Sequence, residues 1–178
     1  MNEHRSISRD ENAHEPYETL LESGVVLRIE QPDPKRVARG EKLLASLKTS
    51  TVPKAVLSQA GSIAHFISLP FIVDGCKDHD ERRAFRNSLS PDARIIFEAN
   101  AQRGNARGVV SVIEALPHLY PNAPKALAAL AERAAALRTR NETYDALTEK
   151  ERYALVRDMQ TLALETLEVL ARATPTDQ

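Results

Sequence analysis

The C-terminal part of the chain carries the most regular pattern of apolar and polar positions. Residues 125–174 contain no glycine and no proline, whereas all six glycines and nine of the ten prolines lie at or before Pro124. Almost every residue in this tract is a good helix former. The pattern predicts two long helices, about 124–140 and 148–172. Because the loop between them is short, we expect an antiparallel helical hairpin.

The apolar arc of the last predicted helix is wider than one packing surface requires. At about 100° per residue its apolar positions span roughly 220°, against roughly 100° for a helix that packs on a single core. We therefore expect part of the arc to bind another protein or a second copy of the chain. The alternative is that the helix is covered on two sides within its own fold. The residues predicted to form the partner surface are Tyr153, Met159, Leu164, Leu167, Val169 and Leu170.

Local start signals place the other elements. Val25, Leu27 and Ile29 alternate with charged residues, which is typical of a half-buried strand. Asp33 followed by Pro34 predicts a helix start, and the 148–172 helix begins with the spacing of a capping box, Thr148 and Glu151. Helices are predicted over 35–47, 54–68, 80–89, 91–102 and 105–116, with strands over 25–30 and 71–73.

These elements predict a mainly α-helical bundle with a C-terminal antiparallel helical hairpin and at most a small strand pair. The length of 178 residues favours one domain with a substantial core. Residues 1–16 are poor in apolar side chains and are predicted to be a disordered arm. We expect the single domain to cover residues 17–174 and a flexible tail to cover residues 175–178.

Composition narrows the classes of function. The formal net charge is −1, so no overall field attracts the chain to nucleic acid or to a membrane. Aromatic residues make up 4% and tryptophan is absent, which leaves few rings for stacking on bases. The single cysteine, Cys76, excludes an intramolecular disulfide, and the first residues are too polar for a secretory signal. No stretch is apolar enough to span a bilayer, so we expect a cytoplasmic protein.

Residues 74–81 are the densest group of possible metal ligands. Cys76 and His79 are three apart, and His65 could approach from the preceding helix, but a zinc site usually needs more than one thiolate. A calcium loop would need glycine and glutamate where the chain has His79 and Phe85. The simpler interpretation is a turn in which Asp78 or Asp80 caps the next helix. We predict no metal and no other cofactor.

Catalysis has no recognisable signature in the chain. The short motifs of serine nucleophiles, zinc proteases, dinucleotide sites and phosphate-binding loops are all absent. The sequence therefore favours a non-enzymatic protein–protein interaction or regulatory module, while an enzyme without a short motif is a third interpretation.

DNA binding is the alternative interpretation, and two regions support it. Residues 82–107 contain six arginines against two acidic residues, a local excess of six minus two, or +4. Overlapping the end of this region, residues 99–113 weakly resemble a helix-turn-helix, with Gly104 at the turn and Val110 and Ile113 at core positions. A solvated helical face is the simpler interpretation of the arginines. Side-by-side packing of the short helices would turn the arginines toward phosphate. These residues are Arg82, Arg83, Arg86, Arg94, Arg103 and Arg107.

The N-terminal part offers the second route to DNA. A strand over 25–30 followed by helices over 35–47 and 54–68 resembles a ribbon-helix-helix unit, which dimerises by pairing its strands. Val26, Arg28 and Glu30 would then face the groove, although Glu30 would be repelled by phosphate. An ordinary packing strand is the simpler interpretation.

Overall fold

The structure is a computed structural model, and it describes residues 17–20, 26–74, 76–91, 94, 106–120 and 122–173. The described residues form a mainly helical bundle, which confirms the predicted fold class. A single 3₁₀ turn, Tyr144–Ala146, joins the last two helices. In chain order the elements are β1 (Tyr17–Leu20), β2 (Val26–Glu30), α1 (Pro34–Lys48), α2 (Lys54–Ile67), β3 (Phe71–Asp74), α3 (His79–Ser88), α4 (Ala106–Leu119), α5 (Lys125–Glu142) and α6 (Glu149–Ala173).

Helix α6 is the centre of the bundle. It packs against α1, α2, α4 and α5, and it also touches β3. Its fully buried side chains include Leu155, Leu162 and Ala163. Because helices cover α6 on more than one side, most of its wide apolar arc is used inside the chain's own core.

Helices α5 and α6 run antiparallel. Arg133 of α5 pairs with Glu165 of α6, and Arg140 pairs with Asp158, whose Oδ2 lies 3.0 Å from the Arg140 Nη1. The residue number rises by seven on α5 while it falls by seven on α6, as only an antiparallel arrangement allows. The predicted helical hairpin is confirmed.

The predicted helix starts are also confirmed. Asp33 Oδ1 accepts a hydrogen bond from the Lys35 N–H at 2.9 Å, and Pro34 begins α1. At the start of α6, Glu151 Oε2 accepts from the Thr148 N–H at 2.8 Å, and Thr148 Oγ1 accepts from the Glu151 N–H at 3.3 Å. Each pair satisfies backbone donors that the first helical turn leaves without a partner.

The small sheet contains the predicted strand pair and one further strand. β2 pairs antiparallel with β3, with Leu27 opposite Asp74 and Glu30 opposite Phe71. β1 pairs along the other edge of β2, with Tyr17 opposite Ile29. β1 was not predicted, because four residues are too short to establish an alternating pattern and β1 lacks the run of apolar side chains that marks β3. β2 is therefore the central strand, and both of its edges are paired.

Helix α4 continues beyond its predicted end. The predicted helix ends at residue 116, but the observed helix runs through Pro117 to Leu119. Proline removes one backbone donor from the last turn. Leu116 is fully buried and Leu119 packs on the core, and this burial stabilises the extra turn.

Some sequence predictions lie outside the described residues. They are the arm over 1–16, the tail over 175–178 and the helix over 91–102, of which only Pro91 and Arg94 are described. Within the described ranges, no helix combines the length and the apolar content that crossing a bilayer requires.

Candidate functional site

Three of the six residues predicted to contact a partner lie in the chain's own core. Met159, Leu167 and Leu170 are fully buried among the helices that surround α6. They cannot touch a second molecule in this fold. Their apolar character follows from internal packing alone.

The other three residues, Tyr153, Leu164 and Val169, are only partly buried. They do not form one patch. Leu164 and Val169 are five residues apart on α6, which places them about 140° apart around the helix axis. Tyr153 and Leu164 are eleven residues apart and share one side of the helix, about 20° apart.

A continuous row of side chains follows this side of α6. We call it the outer stripe of α6, and its residues fall within about 80° of the helix circumference. The Arg157 guanidinium lies 4.7 Å from the centroid of the Tyr153 ring. At the other end, Glu168 Oε1 accepts a hydrogen bond from Arg39 Nε of α1 at 3.3 Å. The residues of the stripe are Tyr153, Arg157, Thr161, Leu164 and Glu168.

The outer stripe combines apolar and charged side chains. Its centre carries a leucine that packs against the core without being fully covered. A cation precedes that leucine by seven residues and a carboxylate follows it by four. These residues offer apolar contact and charge pairing, and no nucleophile among them faces a base.

A second cluster of polar side chains surrounds Arg152, which is buried at 2% exposure. Its Nε donates to the Tyr144 carbonyl oxygen at 3.1 Å, and its Nη2 donates to the Asp145 carbonyl oxygen at 3.0 Å. Its guanidinium carbon lies 4.9 Å from the centroid of the Tyr144 ring. Arg82 of α3 approaches the same ring at 5.6 Å and donates to Asp145 Oδ1 at 2.8 Å. Two cations therefore hold the 3₁₀ turn against α3 and α6.

Sequence reasoning missed the Arg152 cluster, although a signal for it exists. Arg152 lies seven residues before Met159, so it points within about 20° of the same buried direction. A charged residue in the middle of an apolar face must be compensated by internal partners. Those partners come from the loop before α6, where no regular pattern shows them.

The described arginines of the predicted patch have different surroundings in the structure. Arg82 pairs with Asp145, and Arg83 Nη1 lies 4.0 Å from Asp80 Oδ1 on the same helix. Arg86 is exposed on α3, and Arg94 Nη2 donates to the Asn87 carbonyl oxygen at 3.2 Å. Arg103 and the side chain of Arg107 lie outside the described part of the chain. Arg82 and Arg83 thus already have carboxylate partners within the chain.

The structure bears differently on the helix-turn-helix resemblance and on the ribbon-helix-helix resemblance. In the region 99–113, the described residues begin at Ala106, and Val109, Val110 and Ile113 of α4 are buried. The strand–helix–helix order near the N-terminus is present as β2, α1 and α2. However, both edges of β2 are paired within the chain. Strand pairing between two subunits would need one of those edges.

Residues 76–81 form a helix start. Asp78 Oδ1 accepts from the Glu81 N–H at 2.8 Å, so Asp78 caps α3 as the capping interpretation predicts. Cys76 is buried at 1% exposure, whereas the His65 side chain is exposed on α2. Among the residues that the structure describes, no group of three or more histidine, cysteine or acidic side chains could hold a metal ion.

The capping box of α6 lowers the pKa of Glu151. The Thr148 backbone N–H, and then the Thr148 hydroxyl, donate to the Glu151 carboxylate and lower its pKa below the ordinary value of 4.5. Hydrogen bonds to the charged form favour that form.

Comparisons with protein-family models, with curated proteins and with solved structures gave no match to this chain.

Proposed function

We propose that this chain is a non-enzymatic interaction or regulatory module that self-associates through the outer stripe of α6. The observation that carries the proposal is Leu164. It lies on the most enclosed helix of the bundle and still remains partly exposed after four helices have packed around α6. A leucine in this position gains free energy when a second surface covers it.

The charges of the outer stripe are complementary to themselves in an antiparallel arrangement. If two α6 helices pair about a twofold axis level with Leu162 and Ala163, Arg157 of each copy lies opposite Glu168 of the other. The same axis places Leu164 opposite Thr161, so the two copies of Leu164 are about 4.5 Å apart along the axis. This is the geometry of a symmetric dimer, in which the same patch serves both subunits.

The charged ends of the stripe would set the register of the pair. Arg39 of α1 orients the Glu168 carboxylate, and stacking on Tyr153 orients the Arg157 guanidinium. Preorganised charges of opposite sign favour one alignment and disfavour the parallel one, in which like charges would face each other.

The first test is Leu164→Glu, measured by sedimentation velocity over a range of concentrations. Covering the exposed part of each Leu164 gives less than the roughly 1.5–3 kcal/mol of full burial, but the variant would also place a glutamate charge in the contact on both copies. We therefore expect the dimer dissociation constant to rise about a hundredfold or more. Far-UV circular dichroism and the thermal midpoint should be close to those of the natural chain.

The matched control is Ala136→Glu, which adds the same charge at an exposed position of α5. It should leave self-association unchanged. The proposal fails if the natural chain is a monomer at high micromolar concentration, or if the two variants behave alike. Global unfolding of Leu164→Glu would instead show that this leucine serves the internal core.

A second experiment tests the antiparallel register. Arg157→Glu and Glu168→Arg should each weaken self-association, because each variant places like charges opposite each other. In an equal mixture of the two variants, a heterodimer regains opposite charges at both contacts. We expect the mixture to associate a few-fold more tightly than either variant alone. A mixture that associates no better would rule out this alignment.

A further inference from the structure

Positive charge is concentrated in one short segment of this near-neutral chain. Residues 34–54 contain six basic residues and one acidic residue, a local charge of six minus one, or +5, whereas the whole chain carries −1. Most of this segment is helix α1. Segregation of charge on this scale is typical of a surface that meets a polyanion.

Three of these cations share one edge of α1. Lys35 and Lys42 are exposed, and the Arg39 side chain is half exposed. They lie at spacings of four and three residues, within about 60° of the helix circumference. We call Lys35, Arg39 and Lys42 the basic edge of α1. Glu41, the single acidic residue in α1, points about 100° away from Lys42.

Within the described part of the chain, the ammonium groups of this edge have no counterion. Lys35 and Lys42 form no ion pair with any residue that the structure describes, and Arg39 reaches only Glu168. Four arginines of α5 and α6, in contrast, pair with carboxylates. Lys35 also lies in the first turn of α1, where the helix dipole opposes a cation. An external anion would relieve both effects.

The other side of α1 excludes insertion into a bilayer. Gly40, Leu43 and Leu47 are buried, and α1 packs against α2 and α6 through this side. An interfacial membrane helix needs a free apolar face next to its basic face, and α1 has none. The basic edge of α1 can therefore contact a partner only through its charged side chains.

We propose that the basic edge of α1 contacts the phosphate backbone of nucleic acid without reading its sequence. Lys35 and Lys42 are about 10.5 Å apart along the helix, so the edge suits a regularly charged polymer rather than a single ion. Duplex DNA carries one charge per about 1.7 Å of its axis. Lysine is a point charge that positions a protein on phosphates, whereas base recognition needs donors that reach into a groove.

The expected affinity is modest and strongly dependent on salt. Three phosphate contacts give a slope of about −2.7 for the logarithm of the association constant against the logarithm of salt concentration. Between 50 and 200 mM salt, binding should weaken about 40-fold. The dissociation constant should lie in the non-specific range of about 10⁻⁴–10⁻⁶ M at physiological salt.

The experiment measures fluorescence anisotropy of a labelled duplex of arbitrary sequence with the full chain. The double variant Lys35→Ala/Lys42→Ala should reduce the salt slope to about −0.9, because one contact is left. The control Lys125→Ala/Lys150→Ala removes the same charge from exposed lysines of α5 and α6. It should keep the slope of the natural chain.

The proposal is overturned if the natural chain does not bind the duplex, or if both double variants change the slope equally. Two further probes distinguish other polyanions. Binding to polyglutamate but not to DNA would identify an acidic protein as the partner. Binding only to vesicles that contain phosphatidylserine would identify a lipid surface. Circular dichroism of both variants should match the natural chain, since all four lysines are exposed.

Discussion

Among the described residues, Arg152 is the charged side chain with the deepest burial. Its guanidinium is buried, and it donates to two backbone carbonyl oxygens of the turn before α6. Burial of a cation is tolerated because these acceptors and the Tyr144 ring replace water. The residue therefore fixes the direction in which α6 leaves the turn.

We expect Arg152→Met to destabilise the chain by about 3 kcal/mol. Two hydrogen bonds from a charged donor are lost, and two carbonyl oxygens lose their partner. Urea unfolding at neutral pH measures the change. Arg172→Met is the control, because Arg172 is exposed and pairs only with Glu168 in the described structure. A loss of less than 1 kcal/mol for Arg152→Met would mean that water replaces the guanidinium at little cost.

Residue-scale features were predictable where one side chain acts on its own neighbours. Asp33, Asp78 and Thr148 each cap the helix that follows. Local spacing identified Asp33 and Thr148, and for α3 it narrowed the cap to Asp78 or Asp80. The approach of Arg82 to the same turn was not predictable, because Arg82 lies on α3, 63 residues before its partner Asp145. Sequence spacing carries no information about such a meeting.

At the scale of a single element, the start of α6 depends on an ionised carboxylate. The pKa of Glu151 is lowered in the folded chain, chiefly by the Thr148 backbone N–H. A lowered folded-state pKa adds stability at pH values above the unfolded pKa. That contribution is lost as the pH falls through the lower, folded pKa.

We expect Glu151→Gln to flatten the acid side of the stability curve. The natural chain should lose stability more steeply than the variant below pH 4.5, the ordinary glutamate pKa. Urea midpoints measured at several pH values from neutral to acidic give the comparison. Glu132→Gln, at an exposed position of α5, should follow the natural chain. Parallel curves for all three proteins would contradict this account of the capping box.

For the whole molecule, α6 links the packing of all four helices around it. Leu162 is fully buried in this shared core. We expect Leu162→Ala to cost about 2–5 kcal/mol. Because α1, α2, α4 and α5 all pack on α6, unfolding should stay a single transition, with far-UV circular dichroism and tyrosine fluorescence coinciding.

The comparison for this variant is Leu137→Ala. Leu137 of α5 is only partly buried, so its truncation should cost clearly less. Separate transitions for the two optical probes would show that α6 does not couple the bundle.

The limit of sequence prediction is clearest at this largest scale. The pattern of α6 established that its apolar arc is wide, and the bundle and hairpin were predicted correctly. The sequence pattern could not establish what covers this apolar arc, because burial inside the fold and burial against a partner need the same apolar residues. Met159, Leu167 and Leu170 are covered internally, and only the tertiary structure shows which leucine is left over. Partner contact at Leu164 stays a prediction.

The position of α6 along the chain has a consequence for biosynthesis. The ribosome makes α6 after every helix that packs on it, and about 140 residues separate the start of α1 from the end of α6. At roughly 5–20 residues per second, this stretch takes about 7–28 s to synthesise, so α1 is made that long before α6 is complete. During this interval the nascent bundle lacks its central helix, α6, and chaperones that shield exposed leucines have time to act.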